Sequence, residues 1–148
     1  MSDSIPNILL IGAGAVGQVY GRHLQLGGAN ITFYVREKYL EPLKSGMPVY
    51  PLNRQSVQDA PTSFTDYQLI STVEEVAAQN YDQIWLCVPA NALRGDWLAP
   101  LLAASKQATI VSLVPGLEEK SLLLGHISED RLVCGMITLI SYQAPLPN

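Results

Sequence analysis

Three glycines at fixed spacing are the residues of this 148-residue chain that most clearly indicate chemistry. They form the pattern G-x-G-x-x-G within "ILLIGAGAVGQVYG". In a dinucleotide site the first glycine makes a tight turn, the second lets the main chain approach a pyrophosphate, and the third lets a helix pack on the sheet. The phosphates then lie on free N–H groups at the start of that helix. The pattern therefore predicts cofactor contacts from Gly12, Ala13, Gly14, Ala15, Val16 and Gly17.

The surrounding segments decide between a ligand site and a glycine turn without a ligand. The aliphatic run Asn7 to Ile11 predicts a buried strand, and the spacing of Val16, Tyr20 and Leu24 predicts a helix that ends at Gly27-Gly28. Ile31 to Val35, with β-branched and aromatic residues, predicts a second strand. Strand, glycine turn, helix and strand make a βαβ unit, which favours dinucleotide binding.

The residue that follows the second strand indicates which dinucleotide. Sites for NAD or FAD usually place an acidic residue there for the ribose hydroxyls, whereas the 2′-phosphate of NADP requires a cation. The sequence reads "FYVREK", with Arg36 at this place. A guanidinium would form paired, charge-assisted hydrogen bonds to the phosphate, so we expect NADP(H) as the cofactor. Two alternatives stay open: a solvated surface Arg36, and a ribose-binding role for its neighbour Glu37.

The remaining segments alternate between predicted helices and strands. A short helix is expected from Glu37 to Leu43, and prolines make Pro48 to Thr65 a hairpin or loop. "STVEEVAAQN" predicts a capped helix, with a capping box of Ser71 and Glu74 or of Thr72 and Glu75. A strand is predicted at 83–88. Leu93, Trp97 and Leu101 then form an apolar helical face, in a segment that Gly95 and Pro100 are expected to split into two pieces. The last predicted elements are a strand from Thr109, a helix at 118–124 and a strand near 132–140.

The order of these elements predicts the fold class and the domain organisation. Helices that alternate with strands indicate an α/β protein with a Rossmann-like, doubly wound, mostly parallel sheet. The length suits a single domain. We expect residues 1–142 to form this dinucleotide-binding domain and the proline-rich residues 143–148 to begin a linker to a C-terminal helical domain that the chain lacks.

Composition and isolated residue types exclude several other functions. A formal net charge of −4 and a pI near 5.0 argue against nucleic-acid binding. No apolar run approaches the roughly 20 residues of a membrane span. Cys87 and Cys134 lie in apolar runs and are expected to be buried and reduced, which favours a cytoplasmic protein. His23 and His126 are expected on the surface, and neither a catalytic triad nor a metal site is predicted.

The chain resembles the N-terminal domain of the ketopantoate reductase (2-dehydropantoate 2-reductase) family. Three segments are similar to the family: "ILLIGAGAVGQVYGRHLQLGGANITFYVRE", "DQIWLCVPANAL" and "ATIVSLVPGLEE". The resemblance implies NADPH-dependent reduction of a 2-keto acid for pantothenate biosynthesis, with the proton-donating lysine and the substrate-gripping residues in a C-terminal helical domain. It also implies cofactor contacts at Gly12, Gly14, Gly17 and Arg36, and a cofactor-binding position at Val88 and Pro89. No catalytic residue is expected in this chain, and the protein could form a homodimer.

Two prolines depart from the pattern of the resembled family. The family usually has Val-Lys where this chain has Val88-Pro89, and Asn before Gly where it has Pro115 before Gly116. Proline provides neither a charge nor a side-chain hydrogen bond. An alternative is therefore a non-catalytic NADP-binding module that has lost the reductase chemistry. A methyltransferase is the third hypothesis. Arg36 argues against it, because the ribose of S-adenosylmethionine would favour a carboxylate at this position.

Overall fold

The computed structural model describes residues 4–50, 61–114 and 116–142. The first part of the chain forms β1 (Asn7–Ile11), α1 (Ala15–Leu26), β2 (Asn30–Tyr34), a 3-10 helix (Glu37–Tyr39), α2 (Leu40–Lys44), β3 (Met47–Val49), β4 (Thr62–Phe64) and β5 (Gln68–Ile70). The second part forms α3 (Val73–Ala78), β6 (Gln83–Leu86), a 3-10 helix (Ala90–Arg94), α4 (Leu98–Ala104), β7 (Thr109–Ser112), α5 (Leu117–Leu124), a 3-10 helix (Glu129–Arg131) and β8 (Leu132–Cys134).

Six of the strands form one parallel sheet in the order β5-β2-β1-β6-β7-β8. The antiparallel pair β3-β4 is inserted between β2 and β5. The chain extends the sheet outward from β1 in one direction, returns to pair β6 with β1, and then extends it in the other direction. This order confirms the predicted Rossmann-like, doubly wound α/β fold.

The central strand β1 is buried on both faces because adjacent side chains of a strand point to opposite sides. Leu9 and Ile11 belong to one apolar cluster, whereas Ile8 and Leu10 belong to the other. Burial of each such side chain contributes about 1.5–3 kcal/mol relative to exposure. A continuous aliphatic run is therefore what this position in the sheet requires.

Each face of the sheet is covered by a different set of helices. Helix α1 packs closely on β2, since a Cβ atom at Gly21 would lie 2.5 Å from the Phe33 ring. On the same face Tyr20 packs on Trp85 with ring centroids 5.4 Å apart. Helix α4 buries its leucines, together with Trp97, in the cluster on the opposite face. Both tryptophans therefore pack against the apolar clusters, one on each face of the sheet.

Several predicted elements are confirmed with adjusted ends. Helix α3 begins with the Thr72 and Glu75 capping box, in which Glu75 N donates to Thr72 Oγ1 and Thr72 N donates to the Glu75 carboxylate. The two backbone hydrogen bonds from Ser71 and Thr72 lower the pKa of Glu75. The hairpin expected at 48–65 is present as β3-β4 in its described part, while residues 51–60 lie outside the described residues.

Other details of the sequence prediction are wrong. Gly95 divides the apolar segment into the 3-10 helix and α4, as predicted, but Pro100 does not divide it, because Pro100 lies in the first turn of α4, where its missing N–H has no intrahelical partner to lose. The last strand ends at Cys134 rather than near Ile140. Cys134 is exposed, since β8 pairs only with β7 and forms an edge of the sheet. Strand β5 was not predicted.

Candidate cofactor-binding site

The predicted glycine turn lies at the carboxyl edge of the sheet, where the strand order reverses. Ile11 at the end of β1 is in register with Tyr34 of β2 on one side and with Leu86 of β6 on the other. The connections that follow β1 and β6 leave in opposite directions, towards opposite faces of the sheet. Open α/β sheets bind their ligands in the crevice at such a reversal.

Gly12 is held in a conformation that favours glycine. Its φ angle is +97°, and its N–H donates to the carbonyl oxygen of Tyr34 at 3.0 Å. A Cβ atom at this position would also lie 3.1 Å from Val88 Cγ1. The turn is fixed from both sides, because Cys87 N donates to the carbonyl oxygen of Ile11 at 3.1 Å. The prediction of a tight turn at Gly12 agrees with this geometry.

Gly17 and Gly14 lack side chains for different physical reasons. A Cβ atom at Gly17 would lie 2.1 Å from the carbonyl oxygen of Gly12, so the close approach of α1 to the turn requires glycine. A Cβ atom at Gly14 would meet nothing within 4 Å in the described part of the protein. Packing within the chain therefore explains Gly17, whereas the space above Gly14 is available to a ligand.

The first turn of α1 presents its N–H groups to the crevice edge. Gly14 is the N-cap residue, and no side chain of the described residues caps the helix. The first turn contains Ala15, Val16 and Gly17, none of which is acidic. Gln18 fastens the loop, since its backbone N donates to Gly14 O at 2.9 Å and its Nε2 to Ala13 O at 2.8 Å. Such an end attracts anions through its N–H groups and dipole.

A cleft of about 320 Å³ lies between this helix start and the segments that follow β6 and β7. Five of the residues predicted from the sequence line it, namely Gly14, Ala15, Val16, Val88 and Pro89. Gly12, Ala13 and Gly17 shape the turn beside it. Sequence reasoning missed four further lining residues, which are Leu86, Cys87, Leu113 and Ile137. Their apolar character gave no signal, because it is equally typical of the core.

Cys87 forms part of the cleft and is chemically inert there. Burial raises the pKa of its thiol to about 12. The thiolate is the nucleophilic form, so the thiol is almost wholly protonated near neutral pH. The sequence predicts a buried, unreactive cysteine here; the raised pKa agrees with an unreactive thiol, whereas the exposure of Cys87 is intermediate rather than buried.

Arg36 lies just beyond the end of β2, outside the cleft lining. It is exposed, and no carboxylate of the described residues forms an ion pair with it. Its Cζ atom lies 5.4 Å from the centroid of the Tyr39 ring. Glu37, the alternative ribose-binding residue, is exposed at the start of the 3-10 helix that follows. Both side chains therefore lie at the carboxyl edge of the sheet, the same edge as the glycine turn.

The opposite wall of the cleft is apolar. Pro89 is exposed and is the N-cap residue of the 3-10 helix Ala90–Arg94, and the fractional burial of Val88 is intermediate. Arg94 ties this helix to the start of α5 through Glu118, with Nη2 and Oε2 3.0 Å apart. Pro115, the second predicted departure, lies outside the described residues. In the described part of this wall no charged side chain lines the cleft.

A dinucleotide fits the arrangement. The space above Gly14 and the uncapped start of α1 provide the room and the free N–H groups that a pyrophosphate requires. Among the described residues no cluster of side chains could hold a metal ion. His23 and His126 are exposed, as predicted. None of the helices in the described ranges is long and apolar enough to cross a membrane.

The fold and this edge together define an NAD(P)-binding domain of the Rossmann type. The chain belongs to the family described as ketopantoate reductase PanE/ApbA, whose sequence model matches residues 8–145. This match confirms the family that the sequence resembles. No curated protein sequence matches the chain.

Solved structures show the same fold. A 2-dehydropantoate 2-reductase from Geobacter metallireducens GS-15 is 24% identical, with a TM-score of 0.71 over 93% of this chain and 43% of its own. A PanE/ApbA family ketopantoate reductase from Ralstonia eutropha JMP134 is 20% identical, with a TM-score of 0.67 over 86% of this chain and 39% of its own.

A third similar structure is D-mandelate dehydrogenase with NADH and anilino(oxo)acetate. It is 15% identical, with a TM-score of 0.69 over 88% of this chain and 40% of its own. The chain thus spans less than half the length of these three proteins.

Proposed function

We propose that this chain is the NADP(H)-binding part of an oxidoreductase that reduces ketopantoate or a related 2-keto acid. The observation that carries the proposal is Arg36, an exposed guanidinium without a carboxylate ion-pair partner among the described residues, at the end of the strand next to the glycine turn. Membership of the ketopantoate reductase family supports the reaction class. The 2-keto acid and its pathway, pantothenate biosynthesis, belong to the proposal.

The charge at this edge supports NADP(H) rather than NAD(H). A guanidinium forms paired hydrogen bonds to a phosphate, and a hydrogen bond to a charged group contributes about 1.5–3 kcal/mol. This contribution corresponds to roughly ten- to a hundredfold in affinity. A carboxylate at the same place, as in Glu37, would instead favour the ribose hydroxyls of NAD. Arg36 precedes Glu37 and is the nearer of the two to the end of β2.

The residues of this chain bind and orient the cofactor in the proposed reaction. The start of α1 would hold the pyrophosphate, and the apolar wall with Val88 and Pro89 would border the nicotinamide and keep water from it. A bound NADPH supplies the hydride. Of the described residues that line the cleft, only Cys87 titrates, and its raised pKa makes it a poor proton donor near neutral pH. We therefore assign the proton donor to another part of a longer protein.

Parallel binding titrations of the 148-residue chain with NADPH, NADH and S-adenosylmethionine test the proposal. We expect NADPH to bind roughly ten- to a hundredfold more tightly than NADH, and Arg36→Ala to remove most of this preference. Arg22→Ala is the matched control, because it deletes a guanidinium that bonds Gln25 on α1. Equal affinities for NADPH and NADH in the unmodified chain would contradict the proposal, as would preferential binding of S-adenosylmethionine.

A non-catalytic NADP-binding module is the second candidate, and the position of Pro89 favours it. Pro89 lines the cleft with a side chain that provides no charge and no hydrogen bond. A full-length protein that binds NADPH tightly yet consumes none with ketopantoate or other 2-keto acids would establish the module. Turnover near typical enzyme efficiencies of about 10⁴ M⁻¹s⁻¹ or more would exclude it.

A further inference from the structure

Two cationic side chains contact one aromatic ring just beyond β2. Arg36 Cζ lies 5.4 Å and Lys38 Nζ 4.9 Å from the centroid of the Tyr39 ring. Both distances are within the roughly 6 Å at which a ring attracts a cation. Two positively charged side chains thus lie beside one ring, and no carboxylate of the described residues forms an ion pair with either.

The neighbouring acidic side chains, Glu37 and Glu41, do not form ion pairs with these two cations. Glu41 forms its ion pair with Lys44 on α2. Glu37 lies between the two cations in sequence, yet it forms an ion pair with neither. Like charges at short range repel each other, so an anion from outside the chain would be stabilised by both. The second cation contributes most when the anion carries more than one charge, because each attraction grows with the charge of the anion.

We propose that Lys38 is a second binding residue for the 2′-phosphate of NADP(H) and that Tyr39 is a positioning residue for Arg36, an inference that rests on the function proposed above. A phosphate monoester carries about −1.5 to −2 charge at pH 7, which one guanidinium does not neutralise. Lys38 supplies the second charge. The Tyr39 ring restricts the rotamers of Arg36 before the ligand binds, which lowers the entropy lost on binding.

The backbone geometry favours this grouping. Residues Glu37–Tyr39 form a single 3-10 turn, in which Tyr39 N donates to the carbonyl oxygen of Arg36 at 2.8 Å. The turn brings residues 36, 38 and 39 to one place at the strand end. Tyr39 is 41% exposed, so the ring packs on the cations while part of it stays open to solvent. A phosphate can therefore approach the group from outside.

The experiment measures the ratio of NADPH to NADH affinity in the 148-residue chain, together with competition by adenosine 2′,5′-bisphosphate. We expect Lys38→Ala to lower the ratio about two- to tenfold and Tyr39→Ala about two- to fivefold, with NADH affinity unchanged. Tyr39→Phe keeps the ring and should stay within about twofold of the unmodified chain. Lys44→Ala is the matched control, since it deletes an equal charge that is already paired with Glu41.

The outcomes separate this inference from the proposed function. If Arg36→Ala lowers the ratio while Lys38→Ala and Tyr39→Ala do not, the inference is wrong and NADP(H) binding stands. If the unmodified chain binds both cofactors equally, the proposed function itself fails. A parallel loss of NADPH and NADH affinity in Tyr39→Ala would show a general structural role and would overturn the positioning role.

Discussion

The two walls of the cleft differ in what their residues offer a ligand. The wall formed by the glycine turn offers N–H groups, and the Arg36 guanidinium lies outside the cleft lining, just beyond the end of β2. The wall formed by residues 86–89, 113 and 137 offers apolar side chains and one inert thiol. Free N–H groups at a helix start favour an anion. The second wall can border a ring and exclude water, but its described residues lack a group for proton transfer at neutral pH.

This difference shows that binding and chemistry depend on different kinds of residue. Anion binding rests mainly on backbone geometry, which small residues at fixed spacing create. Chemistry needs side chains of a particular type at a particular place. A chain can keep the first while another part of the protein provides the second. The predictions below test whether the two walls are as different as the structure indicates.

The largest expected difference concerns the two thiols. At pH 8 a thiol whose pKa is about 12 is ionised to roughly one part in 10⁴, so Cys87 should react with a disulfide reagent about 10³-fold more slowly than a free cysteine in solution. Cys134 is exposed and should be the faster of the two thiols. Timed modification with Ellman's reagent should give one fast and one slow thiol. Two equally fast thiols would mean that the apolar wall opens to water and reagent.

The same pKa shift predicts a change in stability with pH. The folded-state pKa of Cys87 is raised above the ordinary value, so its contribution to stability is complete below about pH 8.5 and is lost as the pH rises towards 12. Cys87→Ala should flatten the alkaline part of the stability curve in chemical denaturation. An unchanged slope between these pH values would contradict the assigned burial.

Gly14→Val should strongly weaken NADPH binding at the glycine-turn wall. The added side chain would fill the space above Gly14 that we assign to the pyrophosphate, and we expect NADPH affinity to fall by about a hundredfold or more. Far-ultraviolet circular dichroism and the melting temperature should stay close to those of the unmodified chain. Unchanged NADPH affinity in this variant would mean that the glycine turn has no ligand role.

Gly17→Ala should affect folding rather than binding alone. The added Cβ atom would lie 2.1 Å from the Gly12 carbonyl oxygen, a contact that forces α1 away from the turn. We expect a loss of about 3 kcal/mol in the free energy of unfolding, as in severe overpacking. Gly14→Ala is the matched control and should leave this free energy within about 0.5–1 kcal/mol. Equal stability of the two variants would remove the distinction between the glycines.

The smallest expected effect is a gain at the apolar wall. Pro89 lines the cleft and is exposed, so a lysine there can be accommodated. Pro89→Lys should raise NADPH and NADH affinity by about the same factor, up to roughly tenfold, through attraction to the phosphates. Pro100→Lys adds an equal charge on α4, away from the cleft, and should change neither affinity. A decrease in affinity would mean that the proline itself is needed.

Local constraints explain why the glycine-turn wall could be predicted from the sequence. The conformation of Gly12 and the close packing of Gly17 each require glycine at one position, so the sequence pattern alone indicates the turn. The aliphatic runs of β1 and β2 and the capping box of α3 are local in the same sense. The nine predicted site residues stay a prediction as ligand contacts, although five of them line the cleft.

The missed features depend on distant parts of the chain. Strand β5 has three residues and exists because its backbone pairs with β2, which its own composition does not indicate. Ile137 enters the cleft because Gly135 N donates to Ser112 O and directs the chain beside β7. Cys134 is exposed because of its place at the sheet edge, although its neighbours in sequence are apolar. Such outcomes require the tertiary arrangement.

The two tryptophans are fluorophores that lie on opposite faces of the sheet. Trp85 packs on Tyr20 beneath α1, whereas Trp97 donates to Ala92 O in the segment that follows Pro89. Trp85→Phe and Trp97→Phe would each leave one emitter, with its fluorescence confined to one face of the sheet. Energy transfer to a reduced nicotinamide, measured in both variants, would then give the distance of the bound ring from each of two fixed points and so restrict its position relative to the sheet.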